Sequence, residues 1–142
     1  MALVAGEARD LPLDAELAAA RDVLASAGID VRMCVSADPS PEAAAILVPV
    51  VREAVTNILK HSSASYCVLE MTADVGLLHL SISNDGRSGT GAPLAEVGYS
   101  GNGLRNLTTR LEAAGGHLTA TREDGTFSLA VQLPLVERQP VV

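Results

Sequence analysis

The chain has 142 residues, enough for one domain with its own core and little more. Hydrophobic residues make up 48% and aromatics 2%, so that core must be built from Ala, Val, Leu and Ile; 19% charged residues argue against wholesale disorder. The net charge of -7 argues against a general nucleic-acid binder, which needs Lys and Arg to neutralise phosphates. It leaves a phosphate ligand open, because two unit charges about 20 Å apart in water interact by only ~0.2 kcal/mol. The longest clean apolar run, residues 43–51, contains Pro49 and is too short to cross a bilayer. No basic segment followed by an apolar stretch opens the sequence, and the expected location is cytoplasmic.

Residues 1–11 lack periodicity and read as a leader or linker before a domain over 12–135; residues 136–142 read as a tail. From Asp14 to Ala27 apolar residues recur every three or four positions (Leu17, Ala20, Val23, Leu24, Ala27), which predicts a helix stopped by Gly28. Ile29 to Val35 alternates like a half-buried strand. Ser40 is placed to cap the next helix with Pro41 at its first position, and that helix runs to about His61. Pro49 removes one backbone donor inside it and is expected to kink or split it. Tyr66–Ala73 and Leu77–Ser83 form a hairpin through Asp74-Val75-Gly76. Five glycines follow between Asn84 and Asn102, a loop too long and too glycine-rich to be a plain connection. Leu104–Ala114 is helical and ends at Gly115-Gly116; His117–Arg122 and Thr126–Leu133 form a second hairpin. The order predicts an α+β fold: a two-layer α/β sandwich with a mixed, largely antiparallel sheet covered by helices on one face. Cys34 and Cys67 lie on predicted strands without ligand-spaced neighbours, and are expected to be reduced, buried thiols.

Three segments carry chemistry. On the long helix, Glu53, Asn57 and His61 are spaced by four, with Lys60 beside them. Asn is a poor mid-helix residue, and it stands here among Val, Ile and Leu without a capping role. An amide oxygen suits Mg²⁺, and a nearby carboxylate can orient a water. A polar strand end, Ser81-Ile82-Ser83, runs into Asn84-Asp85-Gly86, where an amide or carboxylate can accept from an exocyclic amine and Gly admits a flat base. Finally, Gly101 and Gly103, followed by Leu104, open a helix whose first N–H groups are unpaired, a site for an anion. Taken singly, each has an ordinary structural explanation: a solvated helix face, an Asn-Asp-Gly turn, a loop before a helix. No glycine-rich loop ends in Gly-Lys-Ser/Thr, so there is no P-loop.

In this order the three segments resemble the ATP-binding domain shared by histidine kinases, gyrase-type topoisomerases and related chaperones, the GHKL or Bergerat fold. The likeness is greatest to sensor kinases that pair with NarL-type response regulators. It rests on Glu53-Ala-Val-Thr-Asn57-Ile-Leu-Lys60-His61-Ser62, on Gly101-Asn-Gly103-Leu104 with Arg110-Leu-Glu-Ala-Ala-Gly115-Gly116, and on Gly125-Thr126 with Leu133-Pro134. The resemblance implies ATP and Mg²⁺ as cofactors. Asn57 would ligate the metal, and Glu53 would orient water or polarise the attacking group. Lys60 would reach a phosphate, and His61 would lie near phosphates or sugar. Gly86 would lie beneath adenine, and Gly101 and Gly103 would let the glycine-rich lid fold over the triphosphate. The family's first glycine box, Asp-x-Gly-x-Gly, departs here: Asn84 stands where its leading Asp would meet the adenine amine, Asp85 falls at the variable position, and Ser88 replaces the second glycine.

None of His61, His79 and His117 sits on a separate amphipathic helix with an acidic neighbour, so the phosphoacceptor is expected on another, dimerisation domain, with a NarL-type regulator as indirect partner. Neither nucleic acid nor membrane is an expected partner. An anti-sigma factor serine kinase and a binding module with a decayed nucleotide site are the alternatives.

Overall fold

The computed structural model describes residues 12–61, 63–86 and 101–135. In chain order they form α1 (Pro12–Ser26), β1 (Asp30–Val35), α2 (Pro41–His61), β2 (Tyr66–Asp74), β3 (Leu77–Asn84), α3 (Gly101–Ala113), β4 (His117–Glu123) and β5 (Thr126–Pro134). The strands make one sheet in the order β1-β2-β3-β5-β4. β1 and β2 are parallel, joined by the crossover helix α2, and the other pairs are antiparallel. The expected α+β class and mixed sheet are therefore observed.

The sheet is buried on one face. Cys67, Leu69 and Met71 of β2, Leu78, Leu80 and Ile82 of β3, and Leu129, Val131 and Leu133 of β5 are all buried at period two. Glu70, Ser81, Ala130 and Thr119 follow one another in register across the opposite face, which stays polar or small. The helices cover the apolar side. Leu13, Leu17, Ala20 and Leu24 of α1, Ala44, Leu47, Val50, Val51, Ala54 and Ile58 of α2, and Leu107 and Leu111 of α3 join the same core. Their spacing of three and four gives each helix one apolar stripe. Burying a Leu or Val side chain fully contributes about 1.5–3 kcal/mol, so aliphatic packing alone can hold the layers together.

The helix ends are formed as the sequence predicts. Ser40 Oγ accepts the Ala43 N–H at 3.2 Å, with Pro41 opening α2. Past α1, the Ile29 N–H reaches the Leu24 carbonyl at 3.0 Å while Gly28 takes φ +85°. Past α3, the Gly116 N–H reaches the Leu111 carbonyl at 2.7 Å. A Cβ on Gly116 would lie 2.5 Å from the Gln132 carbonyl oxygen, so only glycine lets α3 turn this tightly into β4.

Three expectations are corrected. Of the two outcomes expected at Pro49, a kink or a split, the split does not occur: α2 runs from Pro41 to His61 as one helix with Pro49 inside it. The missing donor is outweighed by apolar contacts on both sides, where Ala44, Leu47, Val50 and Val51 are completely buried. α3 begins at Gly101 rather than Leu104, so Gly101 and Gly103 form its first turn. Both cysteines are free, but only Cys67 is buried. On β1, Val31 and Met33 turn to the core, which leaves Cys34 exposed on an edge strand. Burial pushes the Cys67 thiol up to about 11.

The two hairpins share one turn geometry. Val75 and Gly76 have φ +46° and +76°, and Asp124 and Gly125 have φ +51° and +78°. Asp-Gly suits this conformation, whereas a β-branched residue is strained in it. Val75 is 88% exposed and gains little packing in return. Val75→Asn should therefore stabilise the chain by about 1 kcal/mol, seen as a higher urea midpoint with unchanged slope.

Candidate active site

The C-terminal end of α2 and the end of β3 meet at one edge of the molecule. β2 starts at Tyr66, shortly after α2 ends, and Cys67 pairs with Asn84, the last residue of β3. Asp85 fastens this junction. Its carboxylate accepts the Ser65 N–H at 2.8 Å, the Tyr66 N–H at 2.9 Å and the Ser65 hydroxyl. Burial works to raise the Asp85 pKa, but the bonds from the Ser65 hydroxyl and from the Tyr66 and Ser65 N–H groups outweigh it, and the carboxyl is held below its ordinary range. Gly86 follows with φ +100°, and a Cβ there would lie 2.8 Å from the Ala64 nitrogen. A side chain at this position would push apart the two halves of the site.

On α2, the spacing of four brings Glu53 and Asn57 together. Asn57 is 6% exposed, and its Nδ2 donates to Glu53 Oε2 at 3.1 Å. The bond engages the amide nitrogen, which assigns the harder ligand, the carbonyl oxygen, to other partners. Lys60 is exposed one turn further on. His61 ends the helix, and its side chain lies outside the described residues. Asn84, 3% exposed, lies on the helix-facing side of β3, and its Nδ2 donates to the Asp85 carbonyl at 2.8 Å. The donor side of this amide is thus engaged by the backbone, and its oxygen is the acceptor suited to an amine. Asp85 spends its carboxylate on the Ser65–Tyr66 backbone and the Ser65 hydroxyl.

The backbone of Gly101, Gly103 and Leu104 lies in the opening turn of α3, where N–H groups have no intrahelical acceptor. The side chain of Leu104, and the segment 87–100 with Gly89, Gly91 and Gly98, lie outside the described residues. Two residues that the sequence reading passes over join Asn84 on the helix-facing side. Phe127 of β5 pairs with Asn84, and Arg122 of β4 pairs with Phe127. The Asp124-Gly125 turn was the signal for the second pairing, because a two-residue turn of this type fixes hairpin register.

No family model matches the chain. Over 99 residues it is 35% identical to the sensor histidine kinase YvfT of Bacillus subtilis, covering 70% of this chain and 25% of that protein. Over 100 residues it is 29% identical to the sensor histidine kinase MctS of Rhizobium johnstonii, covering 70% and 22%. The chain spans about a quarter of the length of the curated relatives it matches. Among solved structures, the histidine kinase domain of the Erythrobacter litoralis EL346 blue-light activated kinase superposes with a TM-score of 0.68 at 24% identity, over 85% of this chain and 58% of that one. The nucleotide-free catalytic domain of histidine kinase ThkA superposes with a TM-score of 0.60 at 9% identity, over 87% and 90%. The chain has the fold of a histidine kinase catalytic domain. The sensor histidine kinases are also its sequence relatives, so fold and sequence point the same way.

The Asp85 junction makes a prediction about acid stability. A carboxyl whose folded pKa is depressed contributes stability above its unfolded pKa of about 3.9 and loses it as pH falls through the folded value. Asp85→Ala should be less stable than the parent by about 1 kcal/mol at pH 7, after allowing for solvent exposure. Urea unfolding should show that gap closing below about pH 4; a gap unchanged at pH 3 would mean the charged carboxylate is not its source.

Proposed function

We propose that residues 12–135 are the ATP-binding catalytic domain of a two-component sensor histidine kinase, acting on a phosphoacceptor His in a separate dimerisation domain. The observation that carries this reading is the Glu53–Asn57 pair, a buried amide held by a carboxylate one helical turn away, beside a strand that ends in a second buried amide. The fold and the sensor-kinase relatives support it.

When bound, Mg-ATP supplies the transferable phosphoryl group. The donor set fits such a ligand. Mg²⁺ keeps several waters and phosphate oxygens in its shell and needs only one or two protein ligands. Among the described residues no group of three or more His, Cys, Asp or Glu could hold a metal without a nucleotide. In this reading Asn57 Oδ1 is the metal ligand, and Glu53 fixes the amide so that this oxygen is presented. Glu53 also stands ready to orient a water or to accept a proton from the attacking group. Lys60 would offer a charge to a phosphate, and His61 would serve the sugar or phosphates. Asn84 would accept from the adenine amine, Gly86 would admit the base, and the N–H groups of Gly101 and Gly103 would donate to phosphate oxygens.

His79 and His117 both pair with Gln132 on the polar face of the sheet, away from the helices. That placement favours an acceptor supplied by another domain; a NarL-type regulator downstream is part of the same proposal. A neutral Asn84 in place of a carboxylate weakens the adenine contact by about 1 kcal/mol, roughly fivefold in affinity. It is also the observation that favours a decayed site.

Calorimetric titration of a non-hydrolysable ATP analogue decides between these readings. Binding should require Mg²⁺ for full affinity, and Asn57→Ala should abolish the magnesium dependence. An unaltered chain that binds no nucleotide overturns the active-kinase reading.

A further inference from the structure

The guanidinium Nη2 of Arg122 is buried and has no hydrogen-bond partner. A guanidinium is always charged and carries five donors, so burying part of it without an acceptor is costly. Such an atom calls for an explanation, and the fold supplies one. On β4, Leu118 and Ala120 pack against the core, so Arg122 at the next position of period two lies on the same helix-facing side. In register it neighbours Phe127, which neighbours Asn84. An amide, an aromatic ring and a guanidinium thus form one row across three strands, at the end of the sheet that Asp85 and Gly86 tie to α2.

The position along α3 adds a second constraint. α3 packs on β4, and the chain reverses at Gly115-Gly116, so β4 runs back beneath the helix. α3 has 13 residues and β4 has 7. At ~1.5 Å and ~3.3 Å per residue both cover about 20 Å, which puts Arg122 level with the opening turn of α3. That turn is the positive end of the helix, and its N–H groups lack acceptors. Two sets of donors of the same sign thus lie at the same end of this layer, and among the described residues the one ion pair, Arg52 with Glu16, lies elsewhere, between α1 and α2. An anion between Arg122 and the helix start would satisfy both.

We infer that Arg122 is a further nucleotide-binding residue whose guanidinium takes a phosphate oxygen of the bound nucleotide. This deepens the proposed function and rests on it. Anionic oxygens are the strongest acceptors a nucleotide offers, and guanidinium matches them with paired N–H groups.

The test compares the chain with Arg122→Met by calorimetry, using a non-hydrolysable ATP analogue with Mg²⁺ and, separately, adenosine. It also compares their melting temperatures without nucleotide. Arg122→Met should bind the ATP analogue about tenfold or more weakly, bind adenosine as the parent does, and melt at the same or a higher temperature. Arg122→Lys should recover part of the ATP affinity. Equal loss for adenosine and the ATP analogue would place the contact on base or sugar and overturn the inference. So would unchanged ATP affinity, or a lower melting temperature without nucleotide, which marks a structural role. If the parent binds neither ligand, the proposed function falls as well; if the parent binds and Arg122→Met binds equally, only this inference falls.

Discussion

The close approach of Gly86 to the loop leaving α2 governs the geometry of the candidate site. A Cβ at position 86 would meet the Ala64 backbone at 2.8–3.0 Å, and Asp85 ties the same loop down through Ser65 and Tyr66. This junction sets the distance between the helix that carries Asn57 and the strand that carries Asn84. Each amide is then oriented locally, one by a carboxylate on its own helix, the other by the carbonyl of the next residue. In the proposed function these two amides present their oxygens to the nucleotide, as ligand and acceptor.

The one-sided burial of the sheet decides where that ligand can sit. With a single Phe and no Trp, the core is aliphatic, and α1, α2 and α3 all pack on the same face. The polar side chains that interrupt this face, Asn57, Asn84 and Arg122, lie toward one end of it. The opposite face carries ordinary surface residues, including His79 and His117. The chain spans about a quarter of the length of its sensor-kinase relatives.

Much of this was legible in the sequence because it depends on neighbours within a few residues. The spacing of three and four in α1 and α2, the Ser40 cap, the glycine stops and the pairing of Glu53 with Asn57 follow from helical geometry. Period-two alternation likewise marked the strands, and the Asn57 anomaly drew attention to the candidate site. The errors arose where a local rule met a long-range force. Pro49 breaks an isolated helix, but a fully buried apolar stripe on both sides carries α2 through it. Cys34 sits in an apolar stretch, yet the facing of β1 leaves it in solvent.

Tertiary structure alone decided which polar residues share a surface. The sequence determined that Asn84 and Asp85 are adjacent at a strand end, and it determined their chemistry. Only the packing of β3 against the 63–66 loop turned Asp85 inward as a clamp and left Asn84 facing the helices. Likewise, the sequence placed Arg122 at the end of a strand, but the strand order β3-β5-β4 put it in line with Asn84. The physical reason is that side-chain facing follows from local periodicity, whereas strand order and the contact of one backbone with another depend on which distant segments bury their apolar faces together.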